Sequence, residues 1–365
     1  MLRYETIGRA LLDSLSPLHS PSYRVNFDGE IIIPERREKF EILTEESIYE
    51  IDATLEKKKN VFIFSLRKGL ATETICKDCG NTVNCEKCMA PAVLYLSKDG
   101  KKRMFSCNRC KRRLDAETKC NNCGSWNLIP LGIGTDTVFE EVRRLFPKNK
   151  ILKLDKEIAV NKKGAENIVN EFEKSTGAIL VGTEMAFSYL EDKVPLSIIA
   201  SFDSLWSIPN FKISEKIIQI LLGMVEKTSK KIIIQTKNGN DPTITAFKDQ
   251  NLLSFVRGEL EDRKNLGYPP FKRFIKITHT GTQEEASRAR DVLGEVLSEY
   301  EPDIFSGFIA RAFGKYVTNA VIKIDRQKWS LPEISSGSSI DENLLARLQT
   351  LPPAFQVFID PEDLL

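Results

Sequence analysis

Apolar residues in the middle of the chain come in short continuous runs. Residues 60–66 (NVFIFSL), 150–154, 178–181, 197–202 and 231–236 are runs of this kind. A strand buried on both faces reads this way. Between them, residues 136–146, 165–175 and 214–227 carry apolar positions at helical spacing. Alternating runs and helices predict an α/β domain built on a parallel sheet. Ahead of it, residues 1–40 are weakly patterned, with one short strand expected at 30–33, and 41–58 reads as a charged helix. From Asp241 a long helical pattern runs to about Asn265 and stops at the Gly-Tyr-Pro-Pro of residues 267–270. The remainder reads as strand 271–278, helix 283–300, strand 303–310, strand 316–324, helix 339–348 and strand 354–359. That is β-α-β-β-α-β, the ferredoxin-like α+β order.

The eight cysteines change this picture. They form four Cys-x-x-Cys pairs: Cys76/Cys79, Cys85/Cys88, Cys107/Cys110 and Cys120/Cys123. Tetrahedral Zn2+ takes two such knuckles, so four knuckles predict two closed structural zinc sites. Three pairings of the knuckles are open. Residues 90–96 and 101–105 are extended runs around an Asp-Gly turn, which predicts a β-hairpin. A hairpin brings its ends together and favours a nested arrangement: Cys85, Cys88, Cys107 and Cys110 on one metal, Cys76, Cys79, Cys120 and Cys123 on the other. The expected division is a lead-in at 1–55, a sheet domain at 56–75 and 129–240, a Cys-rich insertion at 76–128, and a C-terminal domain at 241–365.

The net charge of +2 over 365 residues excludes no partner class. Its distribution is more telling. Residues 76–128 hold eleven Lys/Arg against five Asp/Glu, a difference of +6. The basic side chains Lys101, Lys102, Arg103, Lys111, Arg112 and Arg113 flank the knuckles and suit phosphate contact. The first fifteen residues carry charges through their apolar stretch, unlike a secretory signal. No run of about 18 apolar residues occurs, so no membrane span is expected. Eight metal-bound thiolates suit a reducing cytoplasm. Disulfides and a dithiol redox cycle are the competing readings of the knuckles.

Longer motifs carry a resemblance. Arg67-Lys68-Gly69 leads into Cys76-Lys77-Asp78-Cys79-Gly80. Leu131-Gly132-Ile133-Gly134-Thr135 follows the last knuckle, with Glu140-Glu141 and Leu145-Phe146-Pro147 beyond it. Gly182-Thr183-Glu184-Met185, then Pro209-Asn210-Phe211-Lys212 with Glu215-Lys216 and Gln219, and Gly267-Tyr268-Pro269-Pro270-Phe271 complete the set. In this order the motifs resemble the C-terminal half of the primosomal protein N′ (PriA) family of replication-restart DNA helicases, over residues 55–365. The resemblance implies a RecA-like helicase lobe 2 interrupted by a Cys-rich insertion with two nested zincs. It also implies a C-terminal DNA-binding domain, with Arg67 and Lys68 joining the basic set on DNA. Branched or single-stranded DNA, primosome proteins, single-strand-binding protein and the replicative helicase are the implied partners, in a bacterial cytoplasm.

The chain departs from that family where ATP is handled. No G-x-x-x-x-G-K-[ST] and no Asp-Glu-x-His occurs in these residues, which leaves ATP and Mg2+ without their usual ligands. After Gly182-Thr183, the family's Lys-Gly reads Ser188-Tyr189. The Gln-x-x-Gly-Arg-x-Gly-Arg helix end reads 223–230, GMVEKTSK, so lysines Lys227 and Lys230 stand at the arginine positions and Glu226 at a glycine. Lysine lacks the planar fork an arginine offers a phosphate. The expectation is a DNA-binding factor in replication restart without independent ATPase activity. The alternatives are one half of a split helicase whose lobe 1 is a separate chain, and a zinc-ribbon module for protein or RNA. Among single residues, Asp203 reads as a helix or loop cap, and Trp206 and Phe211 as core.

Overall fold

The computed structural model describes residues 23–34, 41–66, 73–79, 81–86, 92–96, 103–107, 113–114, 117–131, 135–200, 202–206, 210–236, 239–312, 315–329, 340–362 and 364. The chain divides into two compact units, one on residues 24–208 with 216–252, the other on residues 209–215 with 253–365.

In chain order the first unit runs β1 (Glu30–Ile32), α1 (Glu45–Glu56), β2 (Val61–Phe64), then the Cys-rich strands β3 (Glu73–Cys76), β4 (Ala92–Leu96), β5 (Arg103–Cys107), β6 (Arg113–Leu114) and β7 (Leu128–Leu131). It resumes with α2 (Thr135–Leu145), β8 (Ile151–Leu154), α3 (Lys162–Lys174), β9 (Ile179–Gly182), α4 (Met185–Tyr189), β10 (Val194–Ile199), α5 (Asp203–Trp206), α6 (Ile213–Lys227), β11 (Thr228–Ile234) and α7 (Pro242–Lys248). Six strands form one sheet in the order β1-β11-β10-β2-β9-β8, every neighbour parallel. The apolar runs occupy its interior: all four residues of β2 and of β9 are buried. On one face Ile51 and Leu55 of α1 and Val138 and Val142 of α2 pack on Val61, Ile63, Ile179 and Val181. Thr44 starts α1 and Asn161 starts α3 by accepting from the amides of Ser47 and Gly164.

Two expectations are corrected here. The strand expected at 30–33 forms as β1, but it belongs to the main sheet rather than to a separate lead-in, with Ile31 opposite Ile232. The helical pattern from Asp241 is also not continuous. It breaks between α7 and the next helix, α8 (Leu253–Leu266), where Gln250 adopts φ 53°. The break is fixed from far away in sequence. The Gln250 amide accepts from Phe27 N (3.1 Å) and donates to Phe27 O (2.9 Å).

The second unit continues from α8 with β12 (Lys272–Gly281), α9 (Gln283–Val296), β13 (Asp303–Ala312), β14 (Lys315–Asp325), α10 (Glu342–Thr350) and β15 (Phe355–Ile359). The β-α-β-β-α-β order is present, and the sheet order is β13-β14-β12-β15 with antiparallel neighbours. A capping box between Thr282 and Glu285 starts α9, and Asp341 caps α10. Ile275 and Ile277 of β12 and Ala320 and Ile322 of β14 pack with Leu293 of α9 and Leu344 of α10. Phe211 packs against Tyr268 and Phe274, as core. Trp206, expected in the core, is 37% exposed instead.

A buried polar hub missed by pattern reading locks the first unit. Gln235, at the end of the β11 run, is fully buried. Its oxygen accepts from Thr44 N (2.7 Å) and the Ser47 hydroxyl (2.8 Å), and its amide donates to Ile42 O (2.8 Å) and Ala200 O (2.9 Å). Gln235→Leu removes all four hydrogen bonds, and the Ser47 hydroxyl keeps only its contact with Thr44 Oγ1 (2.9 Å). The expected loss is about 3 kcal/mol of unfolding free energy, read as a lower urea midpoint at unchanged slope. A loss under about 0.5 kcal/mol contradicts this role, being the size of an ordinary surface change.

Candidate metal centre

The Cys-rich segment leaves the sheet after β2 and returns to it through α2. Its stem is the antiparallel pair β3–β7, with Cys76 opposite Leu128. Both stem strands pair with each other and not with the six-stranded sheet, so the insertion begins at Glu73 and ends at Leu131, outside the expected 76–128. Its interior is small: Cys76, Val83, Ala92, Phe105, Cys120 and Leu128 are its buried cluster.

The first and fourth knuckles meet at the stem. Cys76 N donates to Asn81 O (2.9 Å), which folds the first turn. In the fourth, Cys120 N donates to Ser125 O and Gly124 N to Cys120 O, both 2.9 Å. Gly124 sits at φ 69° with open space around it, so the turn needs glycine for its backbone and not for room. The two turns are then tied together. Lys77 N donates to Asn127 O (2.8 Å). Asp78 accepts from the Ser125 hydroxyl with one oxygen and from the Asn127 amide with the other (2.8 Å). The Ser125 and Asn127 hydrogen bonds hold the Asp78 carboxyl below its ordinary pKa.

This clamp brings the sulfurs of Cys76, Cys79, Cys120 and Cys123 within 4.8 Å of one another. Cys76 and Cys123 are 3.4 Å apart and Cys79 and Cys120 3.5 Å, and none is in a disulfide. A tetrahedral zinc with Zn–S of about 2.3 Å spaces its sulfurs at about 3.8 Å, so the four donors fit that ion. Cys76 and Cys120 are buried, and Cys123 is exposed. Two of the thiols shift each other in opposite directions. Burial raises Cys79, but the Asn81 amide and the Cys123 and Cys120 sulfurs outweigh it and lower its pKa to about 6. At Cys123 the Ser125 amide pulls down, and the Cys79 and Cys76 sulfurs outweigh it and push the pKa up to about 12. The thiolate favoured at Cys79 thus comes at the expense of Cys123, and a central cation would remove that conflict.

The expected hairpin is present: β4 pairs antiparallel with β5, Ala92 opposite Cys107, and β6 extends the sheet. Ala92 N donates to Val83 O (2.7 Å), which returns the hairpin base to the segment carrying buried Cys85. Cys88 and Cys110 lie outside the described residues. So do Arg67, Lys68, Lys101, Lys102, Lys111 and Arg112. Arg103 begins β5 and Arg113 begins β6.

The strand ends of the main sheet are filled by packing. Gly182 closes β9, where a Cβ would meet Ala186 Cβ at 3.2 Å and the Phe62 ring at 3.3 Å. Phe187 of α4 stacks on Phe64 (5.7 Å) and lies so close to Gly223 that a Cβ there would meet its ring at 2.8 Å. Thr183 N donates to Leu154 O (3.2 Å). Lys227 Nζ donates to Leu190 O (2.6 Å), and Lys230 is an exposed residue of β11, not of a helix end. Asp203 accepts from the Thr236 hydroxyl. Among the described residues, the four cysteines are the one group of three or more ligating side chains close enough for a metal.

No family model matches the chain. Curated relatives do. Replication restart protein PriA of Thermotoga maritima is 27% identical over 340 residues, covering 90% of this chain and 45% of that protein. The PriA of Borreliella burgdorferi is 28% identical over 257 residues, covering 68% and 38%. That of Bacillus subtilis is 24% identical over 297 residues, covering 78% and 36%. The chain therefore spans less than half the length of these relatives. The likeness read from its motifs is real, and the matches support a C-terminal region of the PriA family.

Metal uptake by this cluster must displace thiol protons, so affinity is expected to fall as pH falls. Competition against a chelator at about pH 6 and about pH 8 checks this, and Cys120→Ser is expected to lose one equivalent of metal. Uptake indifferent to pH, or full metal content in Cys120→Ser, contradicts the assignment.

Proposed function

We propose that this chain is a PriA-like replication-restart factor that binds branched or single-stranded DNA through its Cys-rich module and does not hydrolyse ATP by itself. The observation that carries the proposal is the tetrathiolate cluster at the stem of an insertion into a parallel α/β sheet, in a chain similar to replication restart proteins over up to 90% of its length. The main sheet is then a RecA-like lobe 2 and the second unit a ferredoxin-like DNA-binding domain. The sheet order β13-β14-β12-β15 supports the latter.

Two structural zincs complete the reading: the cluster described above, and a second one on Cys85, Cys88, Cys107 and Cys110. The Arg67, Lys68, Lys101, Lys102, Arg103, Lys111, Arg112 and Arg113 side chains neutralise DNA phosphates. Primosome proteins, single-strand-binding protein and the replicative helicase are the proposed partners. Zinc, when bound, supplies folding free energy and no open coordination position, so it takes no part in catalysis.

The absence of ATP chemistry is supported at the strand ends. Lys227 spends its ammonium on a backbone carbonyl, and Glu226 presents a carboxylate to solvent beside it. Neither helps to hold a γ-phosphate. If lobe 1 is a separate chain, ATP hydrolysis returns when the two are mixed.

The metal-loaded chain is expected to bind a forked oligonucleotide with affinity that falls on the order of a hundredfold between about 50 and about 200 mM salt, as for about four phosphate contacts. No DNA-stimulated ATPase is expected in the same preparation. DNA-dependent ATP hydrolysis by the chain alone, or no binding at low salt, overturns the proposal.

A further inference from the structure

The metal centre carries one large aromatic side chain that stays at the surface. Trp126 follows the fourth knuckle and is 47% exposed. It is not in the buried cluster of a module that has few apolar residues to bury. Burying an indole would stabilise so small a core substantially. The chain instead places it at the surface, next to the metal.

Its backbone is held unusually firmly for a surface turn. Ser125 and Asn127, on either side, both hydrogen-bond to Asp78. Asn127 N also donates to Ser125 Oγ (3.0 Å), and Leu128 N donates to Trp126 O (2.7 Å). The metal ligands Cys120 and Cys123 anchor the other end of the turn. The ring carries the Lys119 ammonium 5.3 Å from its centroid, a contact that orients the indole without burying it. The ring is thus presented on a rigid support, which lowers the entropic cost of using it in binding.

Charge adds context rather than specificity. Lys77 and Lys119 lie on this surface, but Asp78 and Glu117 balance them. The specific element is the aromatic face, with two lysines within the same turns for an adjacent phosphate. An indole can stack on a base only where that base has left its duplex.

Resting on the DNA-binding reading above, we infer that Trp126 is a stacking platform for an unpaired nucleobase, so that the metal centre grips single-stranded DNA without regard to sequence. Lys119 then contacts the phosphate beside the stacked base. The metal and the Asp78 clamp position the ring and do not touch the DNA.

The test uses the metal-loaded full chain and a single-stranded thymidine oligomer, with a blunt duplex of equal length at the same salt. Trp126→Ala is expected to bind the single strand roughly fivefold to a hundredfold more weakly, the range for one stacked base, with duplex binding and metal content unchanged. Trp126→Phe is expected to retain most of the affinity. Equal weakening on single strand and duplex, or none, overturns the inference and leaves the broader DNA-binding reading standing. Failure of the unmodified chain to bind either DNA sinks both. Should Trp126→Ala lose its metal, Trp126→Phe carries the test by fluorescence. The oligomer is expected to quench the intrinsic emission of the unmodified chain, and Trp126→Phe to lose that quenching. Quenching that persists, owed to Trp206 or Trp329, overturns it.

Discussion

Everything in the inserted module depends on four sulfur atoms held at one point. The cysteines that meet there are 41 and 47 residues apart in sequence. Closing so long a loop costs chain entropy, and the buried cluster of the module is too small to offset it. A metal bound by these four thiolates would supply that free energy, on the order of 10 kcal/mol for structural zinc. The Asp78 clamp adds orientation: it fixes both knuckle turns to each other. The hairpin β4–β5 then extends from a base tied at Val83 and Ala92. The basic strands and the exposed indole inherit their positions from this staple.

The sheet that carries the insertion is held by different physics. Its strands are buried on both faces and need no metal. Where parallel strands of this kind end, α/β proteins commonly bind ligands. Here those ends are occupied by the chain itself. Phe187 stacks on Phe64, the last residue of β2, and packs against Gly223. The surviving glycines serve close packing.

Much of this was legible in the sequence because it rests on local signals. Continuous apolar runs announced the parallel strands, and the Asp-Gly turn between extended runs announced the hairpin β4–β5 that separates the second knuckle from the third. The unread features are tertiary. The short strand at 30–32 was legible, but its place as an edge of the main sheet was not, because that is set only by its pairing with residues 231–233. The break at Gln250 has no Gly or Pro, because its cause is the backbone of Phe27. Gln235 looks like the polar end of a strand until four distant groups converge on it. Trp206 shows the same limit from the other side, since an indole in an apolar context need not be interior.

X-ray absorption at the zinc edge on the purified chain tests the central claim most directly. A nested pair of tetrathiolate sites requires two metals per chain and a first shell of sulfur alone, about four atoms at about 2.3 Å. Nitrogen or oxygen in that shell, or fewer than two metals per chain, would contradict it.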